Sequence, residues 1–288
     1  MAVYKQIYKR YDGPITDTRW RFAILPRYSF QSIFEFKGFT IFYVLCFVPW
    51  LVGLILLYLR ANADILTSVG LNIIGQFPID SSFFRTLFQI QTFLVFIMAM
   101  FVGPGLVSPD LTNNALPLYL SRPFTRHEYV IGKLCVILTL ASLMTWVPGL
   151  LVYFVQCSLE PGWMALHYRI AAAIFVGSWL WILLVSLLAV AISAWVKWKP
   201  VAAATMFGVF FVTAAFGEMT NEVLDLQTKW GMLINITEVM NMIWTWLFTA
   251  VATYRTLPVA AAFASVTVYC LAAVGMLWKK IRACEVVR

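Results

Sequence analysis

Six long stretches without a charged side chain constrain the fold of this chain more than any other feature. They run from 17 to 27 residues, and about 20 apolar residues let a helix cross the hydrocarbon core of a bilayer. Because irregular backbone and open strands cannot be satisfied in lipid, we expect an all-α polytopic membrane protein with six transmembrane helices. The predicted spans are Phe39–Leu59, Thr86–Val107, Leu134–Gln156, Ile170–Val196, Val201–Gly217 and Pro258–Trp278.

The positions of the basic residues set the predicted topology. Only 12% of the chain is charged, against about a quarter in soluble domains, which excludes a water-soluble enzyme and a disordered chain. With the N-terminus in the cytoplasm, sixteen of the 21 Lys and Arg fall in cytoplasmic segments, as the positive-inside rule requires. Both termini are therefore expected in the cytoplasm. Because topology explains the basic charge, the expected contact is membrane lipid and not nucleic acid.

A seventh apolar run, Val239–Tyr254, is 16 residues long and ambiguous by length alone. Counting it as a span would move the basic C-terminal residues to the outside, against the charge bias. We therefore predict a re-entrant or interfacial element on the outer face, between spans five and six. Asn235 and Glu238 stand where an N-cap and its third-position acid would begin such a helix.

The polar N-terminal segment contains one stretch with the pattern of an interfacial helix. Pro26–Lys37 carries Phe30, Ile33 and Phe34 at helical spacing, which predicts an amphipathic helix in the inner membrane interface. A plain anchor and a mechanical role both fit this pattern. The predicted organisation is a cytoplasmic segment 1–38, a six-span domain 39–278 and a basic cytoplasmic tail 279–288.

The absence of certain residues and motifs narrows the possible functions further. No Asp, Glu, Lys, Arg or His lies in a predicted span, whereas ion-coupled carriers keep ionisable residues at mid-membrane. The two histidines, His127 and His167, lie in different loops, so we expect no metal or haem site. Gly132-Lys133 is followed by Leu134 and preceded by no glycine-rich loop, so a P-loop is lacking. We expect no enzyme and no cofactor in this chain, and any ATP-driven step needs another subunit.

The loop between spans two and three is the most informative segment. A Gly-Pro-Gly at 103–105 predicts a break in span two. Ser108, followed by proline, is predicted to N-cap a new short helix. Thr125 and Glu128 predict a capping box that begins the next helix. The expected result is a stiff cytoplasmic element tied at both ends to membrane helices.

This loop also carries more apolar surface than a solvated turn should expose. In one interpretation its leucines dip into the headgroup layer. In the other they dock in a groove of a cytoplasmic partner, whose movement is transmitted to spans two and three. The apolar residues concerned are Leu111, Ala115, Leu116, Leu118 and Leu120.

Three sequence blocks resemble the ABC type-2 permease family, the membrane subunits of ATP-binding cassette transporters. Two lie near the chain ends, at 8–14 and 280–287. The most specific block is the loop itself, with Asp110-Leu111, Ala115-Leu116-Pro117-Leu118-Tyr119-Leu120-Ser121-Arg122-Pro123, Arg126, Glu128-Tyr129 and Gly132-Lys133.

The resemblance implies that the loop is a coupling helix seated on an ATPase subunit. It further implies two ATPase subunits per complex that bind ATP and Mg, and a second permease copy in a homodimer or related heterodimer. The implied location is a prokaryotic plasma (inner) membrane. The family often has a basic residue where this chain has Thr112, so the resemblance does not extend to a salt bridge at this position. The residues assigned to coupling are Ser108, Asp110, Leu111, Leu116, Leu118, Leu120, Arg122, Arg126 and Glu128.

Polar side chains in spans two and five mark a candidate translocation path. Thr86, Gln89 and Thr92 cover a stripe of about 120° on one helix face, and Thr205 and Thr213 add hydroxyls from span five. An uncharged wall suits a hydrophobic or amphipathic substrate, whose export we expect. Ordinary interhelical hydrogen bonding is the alternative for the stripe. For the whole chain, the alternative is a non-transporting anchor that recruits an ATPase.

Overall fold

The computed structural model describes residues 23–62, 78–113, 115, 125–223, 228–254 and 256–281, and the regular elements in these ranges are helices. Six of them are long and apolar enough to cross a membrane, which confirms the predicted number of spans. They are called spans 1 to 6 below: Lys37–Ala61, Ser81–Thr112, Arg126–Leu159, Trp163–Trp195, Lys199–Val223 and Val259–Lys280.

The observed helices contain the predicted spans to within one residue and mostly extend beyond them. This extension carries charged residues into the helix ends, for example Asp110 in span 2 and Lys133 in span 3. The terminal blocks at 8–14 and 282–288, part of the family resemblance and of the predicted tail, lie outside the described residues.

Spans 1 and 3 are bent, and neighbouring side chains complete their backbone hydrogen bonding. Because Pro148 has no N–H, the carbonyl of Met144 loses its helical partner, and the Trp50 indole donates to it at 3.0 Å. At the bend of span 1, the Gln91 amide donates to the carbonyl of Cys46 at 3.1 Å. Such cross-helix donors make proline tolerable in a spanning helix. The helices are Lys37–Leu45 and Val48–Ala61, then Arg126–Met144 and Trp146–Leu159.

Span 2 continues without a break from Ser81 to Thr112. The predicted interruption at the Gly-Pro-Gly and the predicted N-cap at Ser108 are therefore wrong. The reason lies in another helix: the Ser193 hydroxyl accepts from the backbone N–H groups of Val107 at 3.1 Å and Ser108 at 3.0 Å. These two N–H groups, which lie between Pro104 and Pro109, thus have an acceptor inside the protein.

One end of the helix bundle gathers the boundaries of several spans, and we call it the loop end. It holds the end of span 2 at Thr112, the start of span 3 at Arg126 and the end of span 4 at Trp195. Span 6 reaches the same end, where the Trp195 indole donates to the carbonyl of Met276 at 3.1 Å. Segment 113–125, the predicted coupling loop, connects the end of span 2 to the start of span 3.

The N-terminal helix Ile24–Glu35 packs against this end of the bundle. Phe30 and Ile33 contact the core, and the Phe34 ring lies 5.7 Å from that of Tyr43 in span 1. A helix thus lies close to the predicted bounds, while its amphipathic character and its place in the membrane interface stay predictions.

The helix Ile236–Thr249 has 14 residues and follows a short 3-10 helix, Trp230–Leu233. The Asn235 side chain accepts from the N–H groups of Thr237 and Glu238 at 3.1 and 3.2 Å, which confirms the predicted N-cap. The carbonyl of Ile234 accepts from the hydroxyl of Tyr269, about three turns from the beginning of span 6. This depth supports the re-entrant topology, which stays a prediction.

Candidate functional site

A buried serine pair joins spans 2 and 4 at the loop end. Ser108 and Ser193 are both fully buried, and their hydroxyl oxygens lie 3.1 Å apart. One turn away the helices approach so closely that a Cβ on Gly103 would lie 2.7 Å from the Cβ of Ala189. Small residues at spacings of four permit such close contact between membrane helices.

Span 2 also caps the end of span 4. The last carbonyls of a helix have no partner within it and need outside donors. The Ser108 hydroxyl lies 2.6 Å from the carbonyl of Val196, and the Thr112 hydroxyl lies 3.1 Å from that of Lys197. The hydroxyls of one span therefore take the place of water at the end of the other.

We expect Ser193→Ala to lower the free energy of unfolding by about 1–2 kcal/mol, because two buried N–H groups lose their acceptor. Ser178→Ala in the same helix is the control. Its hydroxyl is buried and has no hydrogen-bond partner among the described residues, so the change should be neutral or slightly stabilising. Detergent-titrated unfolding of both variants measures the difference, and equal losses would contradict the role given to Ser193.

An ion pair links spans 2 and 3 beside the serine pair. The Lys133 ammonium lies 2.9 Å from the Asp110 carboxylate, and the side chains are only 8% and 15% exposed. The same carboxylate accepts from the hydroxyl of the fully buried Tyr129 at 2.7 Å. Spans 2 and 3 flank segment 113–125, so the ion pair connects the two helices between which this segment runs.

The structure places the predicted coupling residues in different settings. Ser108 is buried, Asp110 belongs to the ion pair, and Arg126 is exposed. Glu128 forms the predicted capping box: its backbone N–H donates to the Thr125 hydroxyl, and its carboxylate accepts from the Thr125 N–H. Leu111 packs partly against the core. The remaining coupling residues, Leu116, Leu118, Leu120 and Arg122, lie outside the described residues.

A second polar site lies between spans 2, 4 and 5 and the Ile236–Thr249 helix. It is a cavity of about 430 Å³ lined by Gln89 and Thr92 of the predicted path. The Gln89 amide donates to the Asn241 carbonyl at 3.1 Å. Glu238 also lines the cavity, so the expectation of a wall without charge is corrected: the charged residue belongs to the short helix and not to a span.

The Glu238 carboxylate is held by a tyrosine. Glu238 accepts a hydrogen bond from the Tyr254 hydroxyl at 2.9 Å. Burial raises the pKa of Tyr254 to about 12, with the hydrogen bond to Glu238 and the charges of Glu238 and Glu218 acting in the same direction. Tyr254 therefore stays protonated and donates throughout the physiological range.

Three residues of the predicted path are not part of this cavity's lining. The hydroxyls of Thr86, Thr205 and Thr213 donate to carbonyls of their own helices. This local bonding is the usual behaviour of hydroxyl residues within a helix. Their role in a path stays a prediction.

Sequence reasoning missed the partners that complete both sites. At the loop end these are Lys133, quoted only as part of a motif, and Ser193. In the cavity they are Asn241 and the side chain of Glu238. An amide and a carboxylate in an apolar run were the available signal, because polar groups in such surroundings need partners.

Comparison with known proteins adds one finding. The family model described as ABC-2 family transporter protein matches residues 36–277. This range includes spans 1 to 5, nearly all of span 6, the loop between spans 2 and 3, and both polar sites. No curated protein matches the chain.

Proposed function

This chain belongs to the ABC-2 family of transporter proteins, and on that premise we propose that it is the permease of an export complex driven by separate ATPase subunits. Six apolar helices make it a multi-pass membrane protein, and we place it in a prokaryotic inner membrane with both termini in the cytoplasm. Two ATPase subunits would bind the ATP and Mg, and a second permease copy, identical or related, would complete the translocation path.

The observation that carries the proposal is the buried junction at the loop end. Asp110, Lys133 and Tyr129 fix one side of segment 113–125 to the other, while Ser108 and Ser193 extend the connection to span 4. A force applied to this segment would therefore act on three spans together. A segment that merely rested on the headgroups would not need so firm an attachment.

The proposed mechanism uses this attachment. Closure of the ATPase subunits on ATP displaces the coupling segment, and the buried junction passes the displacement to the loop ends of spans 2, 3 and 4. Their movement changes access to a path between the two permease copies. In this mechanism Ser108 acts through Ser193, because its buried side chain cannot touch a partner.

The described cavity gives the substrate path a physical basis. Gln89 and Thr92 open into a space walled mainly by aromatic rings, which suits a hydrophobic or amphipathic molecule. The Ile236–Thr249 helix forms one wall, and as a re-entrant element it would narrow the outer exit.

We expect Leu116→Asp or Leu120→Asp to abolish stimulation of the ATPase by the permease. A carboxylate in an apolar docking contact must be desolvated without a partner, which outweighs the packing that it replaces. The measurement is ATP hydrolysis by the reconstituted complex, with and without the permease. Leu166→Asp, at a leucine that is 81% exposed near the start of span 4, is the control and should leave stimulation unchanged.

Undiminished stimulation in both loop variants would exclude docking through these leucines. Reconstituted vesicles test the transport step separately. If ATP hydrolysis is stimulated but no substrate of any class moves, the chain is an anchor for the ATPase and not a permease.

A further inference from the structure

The cavity beside the Ile236–Thr249 helix has the composition of a site for an organic cation. Its volume of about 430 Å³ falls within the range of small-molecule sites, about 300–1,000 Å³. Its walls combine two indole rings, Trp181 and Trp244, with phenyl rings that include Phe93 and Phe96. Aromatic rings attract cations through their negative faces, and tryptophan does so most strongly.

The indole donors of this wall are already used. The Trp181 N–H donates to the carbonyl of Thr92 at 2.9 Å, and the Trp244 N–H donates to that of Gly177 at 3.4 Å. These bonds hold the rings in place and occupy the single hydrogen-bond donor of each indole. A wall of this kind favours an apolar or cationic group over a group that needs donors.

The charge of the lining is unbalanced. Glu238 accepts one hydrogen bond, from the Tyr254 hydroxyl. Among the described residues, no salt bridge is formed to its carboxylate. The Lys229 ammonium lies nearby, 5.3 Å from the centre of the Tyr254 ring, but forms no salt bridge with this carboxylate among the described residues. A negative charge in a half-buried, aromatic site favours a positively charged ligand, because the low local dielectric strengthens the attraction.

Two amide atoms could fix the orientation of that ligand. The bond between Gln89 and Asn241 uses the nitrogen of the first and the oxygen of the second. The remaining oxygen of Gln89 and nitrogen of Asn241 have no hydrogen-bond partner in the described part of the chain. They offer one acceptor and one donor beside the carboxylate.

We propose that this cavity binds the positively charged group of an amphipathic substrate, with Glu238 as counter-ion and the aromatic wall around the apolar part. The inference rests on the proposed transport function. It names the class of molecule that the permease selects. It predicts selection by charge, which hydrophobic burial alone would not give.

Binding is tested with the full-length permease in lipid nanodiscs, without ATPase, and with radiolabelled tetraphenylphosphonium as the probe. Empty nanodiscs correct for partition into lipid. Benzyltrimethylammonium should displace the probe, whereas its neutral isostere neopentylbenzene should not. Equal displacement by the two compounds would overturn the proposal, since a merely apolar cavity does not distinguish them.

The variants separate the contribution of charge from that of shape. Glu238→Gln keeps the size of the side chain but removes the counter-charge, and should weaken probe binding about tenfold. Phe93→Leu removes one aromatic ring and should weaken probe binding about threefold. Glu218→Gln removes an exposed carboxylate near Tyr254 that does not line the cavity, and should bind like the wild type. Thermal unfolding verifies that each variant is folded, and wild-type affinity in folded Glu238→Gln would refute the assignment.

The result is independent of the test for transport. If the wild type binds the probe but vesicles with ATPase move no substrate, the cation site is supported and the proposed transport function is refuted. If vesicles export a substrate while the probe neither binds nor competes with that substrate, the cation site is refuted and the transport function is supported.

Discussion

Asp110→Ala is expected to lower the free energy of unfolding by about 3–5 kcal/mol, because it leaves the buried Lys133 ammonium without its counter-charge. The variant also takes the acceptor from the Tyr129 hydroxyl, 2.7 Å away. Breaking one side of a buried pair costs far more than the pair contributes, since the remaining charge stays largely desolvated and unpaired. Detergent-titrated unfolding of the purified permease measures the loss.

The double variant Asp110→Ala/Lys133→Met distinguishes this explanation from general damage. Removing both charges removes the unpaired ion, so the double variant should be more stable than Asp110→Ala alone. Lys199→Met, at an exposed lysine, controls for the loss of a positive charge and should change stability by less than about 0.5 kcal/mol. Losses that simply add in the double variant would show that the two side chains do not interact.

Gly103→Leu is expected to cost about 3 kcal/mol or more, because spans 2 and 4 have no space for a side chain between them. The Cβ alone would lie 2.7 Å from the Cβ of Ala189 and 3.5 Å from its Cα, and backbone atoms cannot yield as a flexible side chain can. Separation of the helices would also stretch the contacts between Ser108 and Ser193.

Gly105→Leu is a matched control only two residues away. A Cβ there meets no atom within 4 Å, so the change should be neutral or slightly stabilising, as expected when a helical glycine gains a side chain. Ala189→Gly should recover part of the loss in Gly103→Leu. Equal effects of the two leucine substitutions, measured by thermal unfolding, would show that helix propensity and not close packing decides the result.

The spans were predictable because they depend on local composition. Uncharged runs of sufficient length mark them, and the charge bias correctly excluded Val239–Tyr254, whose helix has only 14 residues. The helix starts at Thr125 and Asn235 were predictable for the same reason, since a cap is formed by residues three positions apart. The family resemblance rested on a contiguous loop motif, and the family model confirms it.

The continuation of span 2 through its prolines was not predictable from local sequence. The hydroxyl that accepts from the backbone near these prolines belongs to Ser193, 85 residues further along the chain from Ser108. The pairing of Asp110 with Lys133 likewise requires knowing which faces of two helices meet. In the cavity, Glu238 was correctly placed as an acid in the first turn of its helix, but only the folded chain brings it into one lining with Gln89 and Trp244.

The way span 2 caps span 4 decides where a hinge can operate. Parting these two helices would break the bonds to the carbonyls of Val196 and Lys197 and the buried contact between Ser108 and Ser193, so we expect them to travel as a rigid body with span 3. Span 4 is the most enclosed, with 67% of its most apolar stretch buried, against 22% in span 5 and 17% in span 6. Conformational freedom should therefore be found in spans 5 and 6, which have the smallest buried fractions.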